Sequence, residues 1–172
     1  MQQDKLNSIR DYYSIGDRIF TSGQPTPDQI KNISEAGFEV VINLSPSSGL
    51  DAIQNEEELV KAAGMGYVHI PVEWQNPTRE NLEKFLVMYS RHDYHLIFVH
   101  CARNMRVSAF IFLYRVIVKG ETPQNCLKDL LAIWKPDQTW QEFIDRMLVE
   151  VKKPHDSKDW GVEWTGYTSF KP

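Results

Sequence analysis

Cysteine is scarce in this sequence, because only Cys101 and Cys126 occur among its 172 residues. Two cysteines cannot build the disulfide framework of a small secreted domain, so that class of protein is excluded. No apolar run reaches the length of about 18 residues that a membrane-spanning helix needs, and the amino-terminal segment lacks the apolar core of a signal peptide. We therefore expect a cytoplasmic protein, or an exported one whose leader has been removed.

An excess of basic residues is lacking as well. The 19 lysines and arginines stand against 23 aspartates and glutamates, which gives a formal net charge of −4 at pH 7. This balance favours neither nucleic acid nor an anionic membrane as a partner. The histidines His69, His92 and His95 have no ligand-like spacing with each other or with a cysteine, so we expect no metal ion and no other cofactor.

Strand-like and helix-like segments alternate through the first two thirds of the chain. Short apolar runs typical of buried strands occur at Arg18–Thr21, Phe38–Leu44, Tyr67–Ile70 and Leu96–His100. Segments with helical periodicity and recognisable start and stop residues lie between them, and helices alone follow to about residue 151. This order predicts an α/β fold with three layers, in which a mostly parallel central sheet is flanked by helices.

Residues 152–172 have no helical or strand period and form, in this interpretation, an irregular tail to a domain that spans residues 1–151. Four aromatic residues lie in this tail: Trp160, Trp164, Tyr167 and Phe170. So many aromatic side chains are too apolar for a free tail. We expect the tail to pack on the domain or on a second subunit, which makes a homodimer one predicted assembly.

The segment around Cys101 carries the clearest functional signal. Cys101 directly follows a predicted buried strand and precedes a strongly apolar helix, and ligands of parallel sheets bind beyond the carboxyl ends of the strands. Loop N–H groups and a helix start direct positive partial charge at one point, which favours an anion and a thiolate nucleophile. An arginine can hold two oxygens of such an anion. The predicted phosphate-binding residues are Ala102, Arg103, Asn104, Met105, Arg106 and Val107.

The stretch VHCARNMRVSAF, residues 99–110, resembles the signature of cysteine-dependent protein phosphatases, in which His-Cys is followed by five residues, Arg, and Ser or Thr. The segments IFTSGQPTPDQI, GFEVVINL and GYVHIPVEWQNPT are similar, in the same order, to the bacterial dual-specificity-type phosphatase-like family. That family is also found fused to β-lactamase-like hydrolases. The resemblance covers about residues 18–118 and implies a tyrosine-phosphatase-like fold with a phosphorylated substrate.

The same resemblance implies a role for each residue of the signature. Cys101 would attack phosphorus and form a phosphoenzyme, and Arg106 would bind the equatorial oxygens. Ser108 would assist the thiolate as a leaving group, and His100 would orient the loop through hydrogen bonds. The general acid of such enzymes lies on a separate upstream loop, where Glu73 in the segment VEWQNP is the only carboxylic acid. Asp137 in WKPDQTW is a second candidate, but its order in the chain is wrong for this family and a turn or helix-cap role is commoner.

This chain departs from the family pattern in the length of the loop. The arginine should be the sixth residue after the cysteine, but Arg106 is the fifth and Val107 is the sixth. One residue on a helix corresponds to a rotation of about 100°. Asn104 stands where a loop glycine is usual, and asparagine tolerates left-handed backbone better than most residues. Arg103 adds a positive charge that could compensate for a displaced Arg106.

The short loop leaves two further functions open. A Cys-x4-Arg loop also resembles that of rhodanese-type sulfurtransferases, in which the cysteine carries a persulfide, although the flanking segments do not look like rhodanese. The third interpretation is a relative of the phosphatases that binds anions and has no catalytic activity. Of these three functions, the sequence favours the cysteine-dependent phosphatase.

Overall fold

The strands and helices alternate as predicted, but the chain carries one strand and one helix more. The computed structural model describes residues 2–92 and 95–151, so the predicted tail at 152–172 lies outside the described residues. The strands are β1 (Tyr13–Ile15), β2 (Ile19–Ser22), β3 (Val40–Asn43), β4 (Gly66–His69) and β5 (Ile97–His100). The helices are α1 (Gln2–Asn7), α2 (Pro27–Glu35), α3 (Glu56–Ala62), α4 (Arg79–Arg91), α5 (Met105–Ile117), α6 (Pro123–Ile133) and α7 (Gln138–Glu150).

The five strands form one sheet in the order β1-β2-β5-β3-β4. Strand β1 pairs antiparallel with β2, and the other pairs are parallel, so the predicted mostly parallel sheet is confirmed. The register places His100, at the end of β5, between Ser22 of β2 and Asn43 of β3. Three strands therefore end side by side, and Cys101 follows at that edge.

Side chains of the central strands alternate between two apolar cores. Val40, Ile42 and Val99 pack with helices α4 to α7, whereas Val41 and Phe98 pack with α1, α2 and α3. Because successive strand residues point to opposite faces, a short continuous apolar run can serve both cores at once. The predicted three-layer arrangement is confirmed.

The helix starts follow the capping signals in the sequence. Thr26 and Gln29 form a capping box at α2, and Thr78 forms a second one at α4 with Asn81. The side chain of Asp137 accepts a hydrogen bond from the Trp140 N–H at the start of α7. These bonds satisfy N–H groups that have no partner within the helix.

Helix α5 is the central helix of the larger core, and ten of its thirteen residues are buried. Its one buried cation, Arg115, is held by Glu121 and Asp129 at 2.6 Å each. These contacts and the apolar packing fix the axis of α5, and therefore also the position of the loop that precedes it. Among the described residues, no helix has both the length and the apolar composition required to cross a bilayer.

Candidate active site

A short loop, residues 101–104, joins the end of β5 to the start of α5. It is bonded to the segment that follows β2: the Cys101 N–H donates to the Ser22 carbonyl (3.2 Å), and the Gln24 N–H donates to the Ala102 carbonyl (3.2 Å). Gly23 lies between these bonds, and a Cβ atom there would come within 2.9 Å of the Ala102 carbonyl oxygen. A glycine is therefore required for the two segments to lie this close, and Cys101 is fully buried beneath the loop.

Asn104 closes the loop in the left-handed backbone conformation. Its φ and ψ angles are 60° and −2°, a conformation that asparagine tolerates better than most residues. Its buried side-chain amide donates to the Asp11 carbonyl (2.8 Å) and to Thr21 Oγ1 (2.9 Å). Asparagine here supplies the backbone turn and also ties the loop to β2 and to the segment before β1.

Two substitutions separate the contribution of the Asn104 side-chain hydrogen bonds from that of its left-handed backbone. We expect Asn104→Gly to lower the free energy of unfolding by about 1–2 kcal/mol, because the two buried hydrogen bonds are lost while the backbone stays relaxed. Asn104→Ala loses the same bonds and places a Cβ in left-handed backbone, which costs about 1 kcal/mol more. Urea unfolding of both variants measures the difference. An alanine variant as stable as the glycine variant would mean that the backbone at this position is not strained.

The start of α5 offers open N–H groups next to Cys101. Asn104 is the N-cap residue, but its side chain makes no capping hydrogen bond to the helix. The N–H groups of Met105, Arg106 and Val107 in the first turn have no partner within the helix, as at every helix start. Val107 itself is fully buried, so this sixth position after the cysteine contributes a core side chain and a backbone N–H.

Arg106 is held in place by the loop that follows β4. Its Nε atom donates to the Val72 carbonyl (2.8 Å), and its guanidinium carbon lies 5.2 Å from the centre of the Trp74 ring. Trp74 is itself anchored, because its carbonyl accepts from Trp140 Nε1 (3.1 Å). The two terminal nitrogens of Arg106 make no hydrogen bond to any residue within the described ranges. They are therefore available to bind an anion.

Arg103 differs from Arg106 in its exposure and in its side-chain contacts. Its side chain is exposed, and it makes no ion pair or hydrogen bond in the part of the chain that the structure describes. Arg103 can add positive charge near the loop, but nothing fixes its direction. The contacts of the two arginines therefore favour Arg106 as the residue that holds an anion in a defined orientation.

The remaining predicted site residues, Glu73 and Ser108, differ in their exposure and in their hydrogen bonds. Glu73 is exposed, its side chain contacts no described partner, and it stands between the two residues that hold Arg106. The Ser108 hydroxyl donates to the Met105 carbonyl (2.9 Å) and accepts from Trp134 Nε1 (3.1 Å). No hydrogen bond joins Ser108 to Cys101, so its assistance to the leaving thiolate stays a prediction.

His100 is fully buried behind the loop, and its closest polar group is a residue that sequence reasoning missed. His100 Nε2 lies 3.2 Å from Glu56 Oε1, and Glu56 is only 3% exposed. Burial alone would raise the pKa of the Glu56 carboxyl, but the His100 contact and the hydrogen bonds from Gln24 and Tyr67 outweigh it and hold this pKa below its ordinary value. Glu56 is therefore a buried carboxylate. The run of three glutamates at residues 56–58 gave no sign of this, because acidic residues are usual in the exposed first turn of a helix.

The arrangement therefore combines a buried cysteine, a helix start with open N–H groups and an arginine whose two terminal nitrogens make no hydrogen bond among the described residues. Helix N–H groups and arginine side chains are groups that bind oxyanions in proteins. No group of three or more His, Cys, Asp or Glu side chains within residues 2–92 and 95–151 is placed to hold a metal ion. The fold is that of the cysteine-dependent, tyrosine-phosphatase-like class, and the loop has one residue fewer between its cysteine and its arginine than the pattern of that class.

Comparison with known proteins places the chain within that class. The family described as DSP-PTPase phosphatase fused to NAD+ kinase matches residues 8–146, and the chain belongs to this family. The crystal structure of a DUF442 protein from Shewanella putrefaciens is 34% identical, with a TM-score of 0.78 over 87% of this chain and 98% of that one. Tk-PTP in its active form shares the fold at 15% identity, with a TM-score of 0.70 over 82% of this chain and 98% of that one.

Among curated proteins, the chain is similar to the β-lactamase hydrolase-like protein of Agrobacterium fabrum. The two are 24% identical over 157 residues, which are 87% of this chain and 36% of that protein. The corresponding protein of Xylella fastidiosa is 28% identical over 109 residues, which are 60% of this chain and 24% of that protein. The chain thus spans about a third or less of the length of these relatives. The predicted resemblance to the phosphatase-like family is confirmed.

Proposed function

We propose that this protein hydrolyses phosphate monoesters through a phosphocysteine intermediate on Cys101. The observation that carries the proposal is that Cys101 shortly precedes the uncapped start of α5, whose second residue, Arg106, has two terminal nitrogens with no hydrogen bond among the described residues. A phosphoryl group held there would have its oxygens on the helix N–H groups and on the arginine fork. The electrostatic stabilisation of the charge that develops on those oxygens is the main catalytic effect expected of the loop.

The reaction takes place in two steps. The Cys101 thiolate attacks phosphorus, an S–P bond forms, and the P–O bond to the leaving group breaks. The leaving oxygen takes a proton, which we assign to the carboxylic acid of Glu73 when it is protonated. Water then attacks phosphorus and gives one proton to the Glu73 carboxylate, which restores the acid. The S–P bond breaks, and inorganic phosphate leaves while the thiolate re-forms, with the Ser108 hydroxyl as the group proposed to assist it.

The test is turnover of an aryl phosphate such as para-nitrophenyl phosphate, followed by release of the phenolate, with and without orthovanadate. We expect metal-independent hydrolysis that vanadate inhibits, because vanadate takes the place of the phosphoryl group in the loop. Rapid acid quenching followed by peptide mass analysis should find a phosphoryl adduct on Cys101. A protein that shows neither turnover nor adduct is not a phosphatase for this class of substrate.

The short Cys-x4-Arg loop keeps sulfur transfer as the competing function, and the same preparation can test it. A sulfurtransferase would release thiocyanate from thiosulfate and cyanide and would carry a persulfide on Cys101. An anion-binding protein without catalytic activity would bind vanadate and show neither reaction. The three outcomes are distinct, and only vanadate-sensitive phosphate release supports the proposal.

A further inference from the structure

The carboxylate of Glu56 is buried behind the cysteine loop, residues 101–104. It stands at the first position of α3, with 3% of its surface exposed, and four polar groups from separate parts of the chain converge on its two oxygens. A charge is not buried without cost, and the cost is met only when hydrogen bonds and opposite charge surround it. The identity of those four groups indicates what the carboxylate does.

The two carboxylate oxygens face different parts of the molecule. Oε1 faces the loop: it accepts a hydrogen bond from Gln24 Nε2 (2.6 Å) and lies 3.2 Å from His100 Nε2. Oε2 faces the strands: it accepts from Asn43 Nδ2 (2.6 Å) and from the Tyr67 hydroxyl (3.1 Å). Oε1 thus contacts groups next to the cysteine loop, and Oε2 contacts side chains of β3 and β4.

Both groups on the loop side are connected directly to Cys101 and its neighbour. The Gln24 backbone N–H donates to the Ala102 carbonyl, and His100 immediately precedes Cys101 in the chain. Both ring nitrogens of His100 are buried, and neither makes a hydrogen bond of ordinary geometry among the described residues. The 3.2 Å approach of Nε2 to Glu56 Oε1 is the closest polar contact of the ring there, so Glu56 is the polar group that can influence its orientation.

A carboxylate is the side chain that this position requires. It is an acceptor at both oxygens, so it can face donors on every side, whereas a glutamine would turn its NH₂ group toward one of them. An unpaired negative charge behind an anion-binding loop would weaken anion binding. The four surrounding groups offset that charge, so it should not weaken anion binding. The remaining effect of Glu56 on the loop is that it places Gln24 and His100.

We propose that Glu56 is a positioning residue of the cysteine loop, which acts through Gln24 and His100 to hold Cys101 and Ala102 in the geometry that binds an oxyanion. The proposal rests on the function proposed above, since it concerns the same loop. It predicts that the loop side of the carboxylate affects anion binding, whereas the strand side affects only stability.

The first experiment compares Glu56→Gln with Glu58→Gln in the full chain. Glu58 lies two positions further along α3 and is exposed, so it provides the same chemical change outside the network. We expect Glu56→Gln to weaken the binding of tungstate, an inert tetrahedral oxyanion, by about tenfold or more, the equivalent of one lost hydrogen bond. Calorimetry measures the dissociation constant, and Glu58→Gln should leave it unchanged.

A second readout uses the thiol directly. Iodoacetate carries a negative charge and benefits from the anion site, whereas iodoacetamide is neutral, so the ratio of their rates at Cys101 reports the geometry of the loop. Peptide mass analysis separates this reaction from that of Cys126. We expect Glu56→Gln to lower the ratio under conditions in which urea unfolding shows the variant to be folded, so that reaction through the unfolded state does not account for the change.

Two further variants keep the proposal testable if Glu56→Gln does not fold. Gln24→Met removes a loop-side donor, and Tyr67→Phe removes a strand-side donor. We expect Gln24→Met to weaken tungstate binding several-fold and Tyr67→Phe to lower stability in urea with tungstate affinity unchanged. If both variants lose stability and neither changes the affinity, Glu56 is a structural carboxylate and the proposal is wrong.

The outcomes also separate this proposal from the proposed function. A wild-type protein that hydrolyses aryl phosphates, together with a Gln24→Met variant of unchanged tungstate affinity, overturns the role of Glu56 alone. A wild-type protein that neither binds tungstate nor hydrolyses the ester overturns both.

Discussion

Replacing Cys101 by serine should lower kcat/KM for an aryl phosphate by a factor of about 10³ to 10⁶, which is the range expected when an enzyme loses its nucleophile. A serine hydroxyl is not ionised at neutral pH and is a much weaker nucleophile than a thiolate, so the phosphoenzyme should form far more slowly. Because serine has nearly the same volume, the loop should keep its shape and still bind tungstate. Turnover, tungstate affinity and urea unfolding of Cys101→Ser test the three parts of this expectation.

The second cysteine provides the matched control. Cys126 is buried in α6, and its pKa is raised above the ordinary value because burial and the carboxylates of Glu121 and Asp129 outweigh the charge of Arg115. It is therefore a thiol at neutral pH and packs as a small apolar side chain. Cys126→Ser should retain full turnover. Equal activity in wild type and Cys101→Ser would exclude a phosphocysteine intermediate.

The second large effect concerns Arg106. We expect Arg106→Lys to lower kcat by about 10² to 10⁴, because a lysine keeps the charge but loses the fork that binds two oxygens of the transferring phosphoryl group. The variant also loses the Nε hydrogen bond to Val72 and the contact with Trp74. Steady-state kinetics with the aryl phosphate should place most of the loss in kcat.

Two comparisons show whether this loss is specific to Arg106. Arg79→Lys makes the same change at an exposed arginine that pairs with Glu83 on α4, and it should not affect turnover. Arg103→Lys should lose much less activity than Arg106→Lys, because no contact fixes the direction of Arg103. A larger loss at Arg103 would mean that the shortened loop has exchanged the roles of the two arginines.

The sequence predicted the parts of this site that depend on local pattern. The buried strand before Cys101, the capped helices and the left-handed Asn104 each follow from a few consecutive residues. The edge strand β1 was missed because Tyr13–Ile15 is three residues long and only partly buried, which is too short for a period-two pattern.

Contacts between distant parts of the chain could not be predicted in the same way. Val72 and Trp74 lie more than thirty positions before Arg106, and nothing in either segment indicates that they meet. Glu56 was missed for a related reason. The groups that make its burial tolerable come from three strands and a loop, and only the register of the sheet brings them together.

The contacts of Arg106 with Val72 and Trp74 have a consequence for the energetics of binding. An arginine side chain has about 2 kcal/mol of rotamer entropy to lose when it is immobilised. Because protein contacts already hold Arg106, most of this entropy is lost when the chain folds and little of it when a ligand arrives. The guanidinium is therefore preorganised, and the affinity of the loop for an oxyanion should be reduced very little by the ordering of its own arginine.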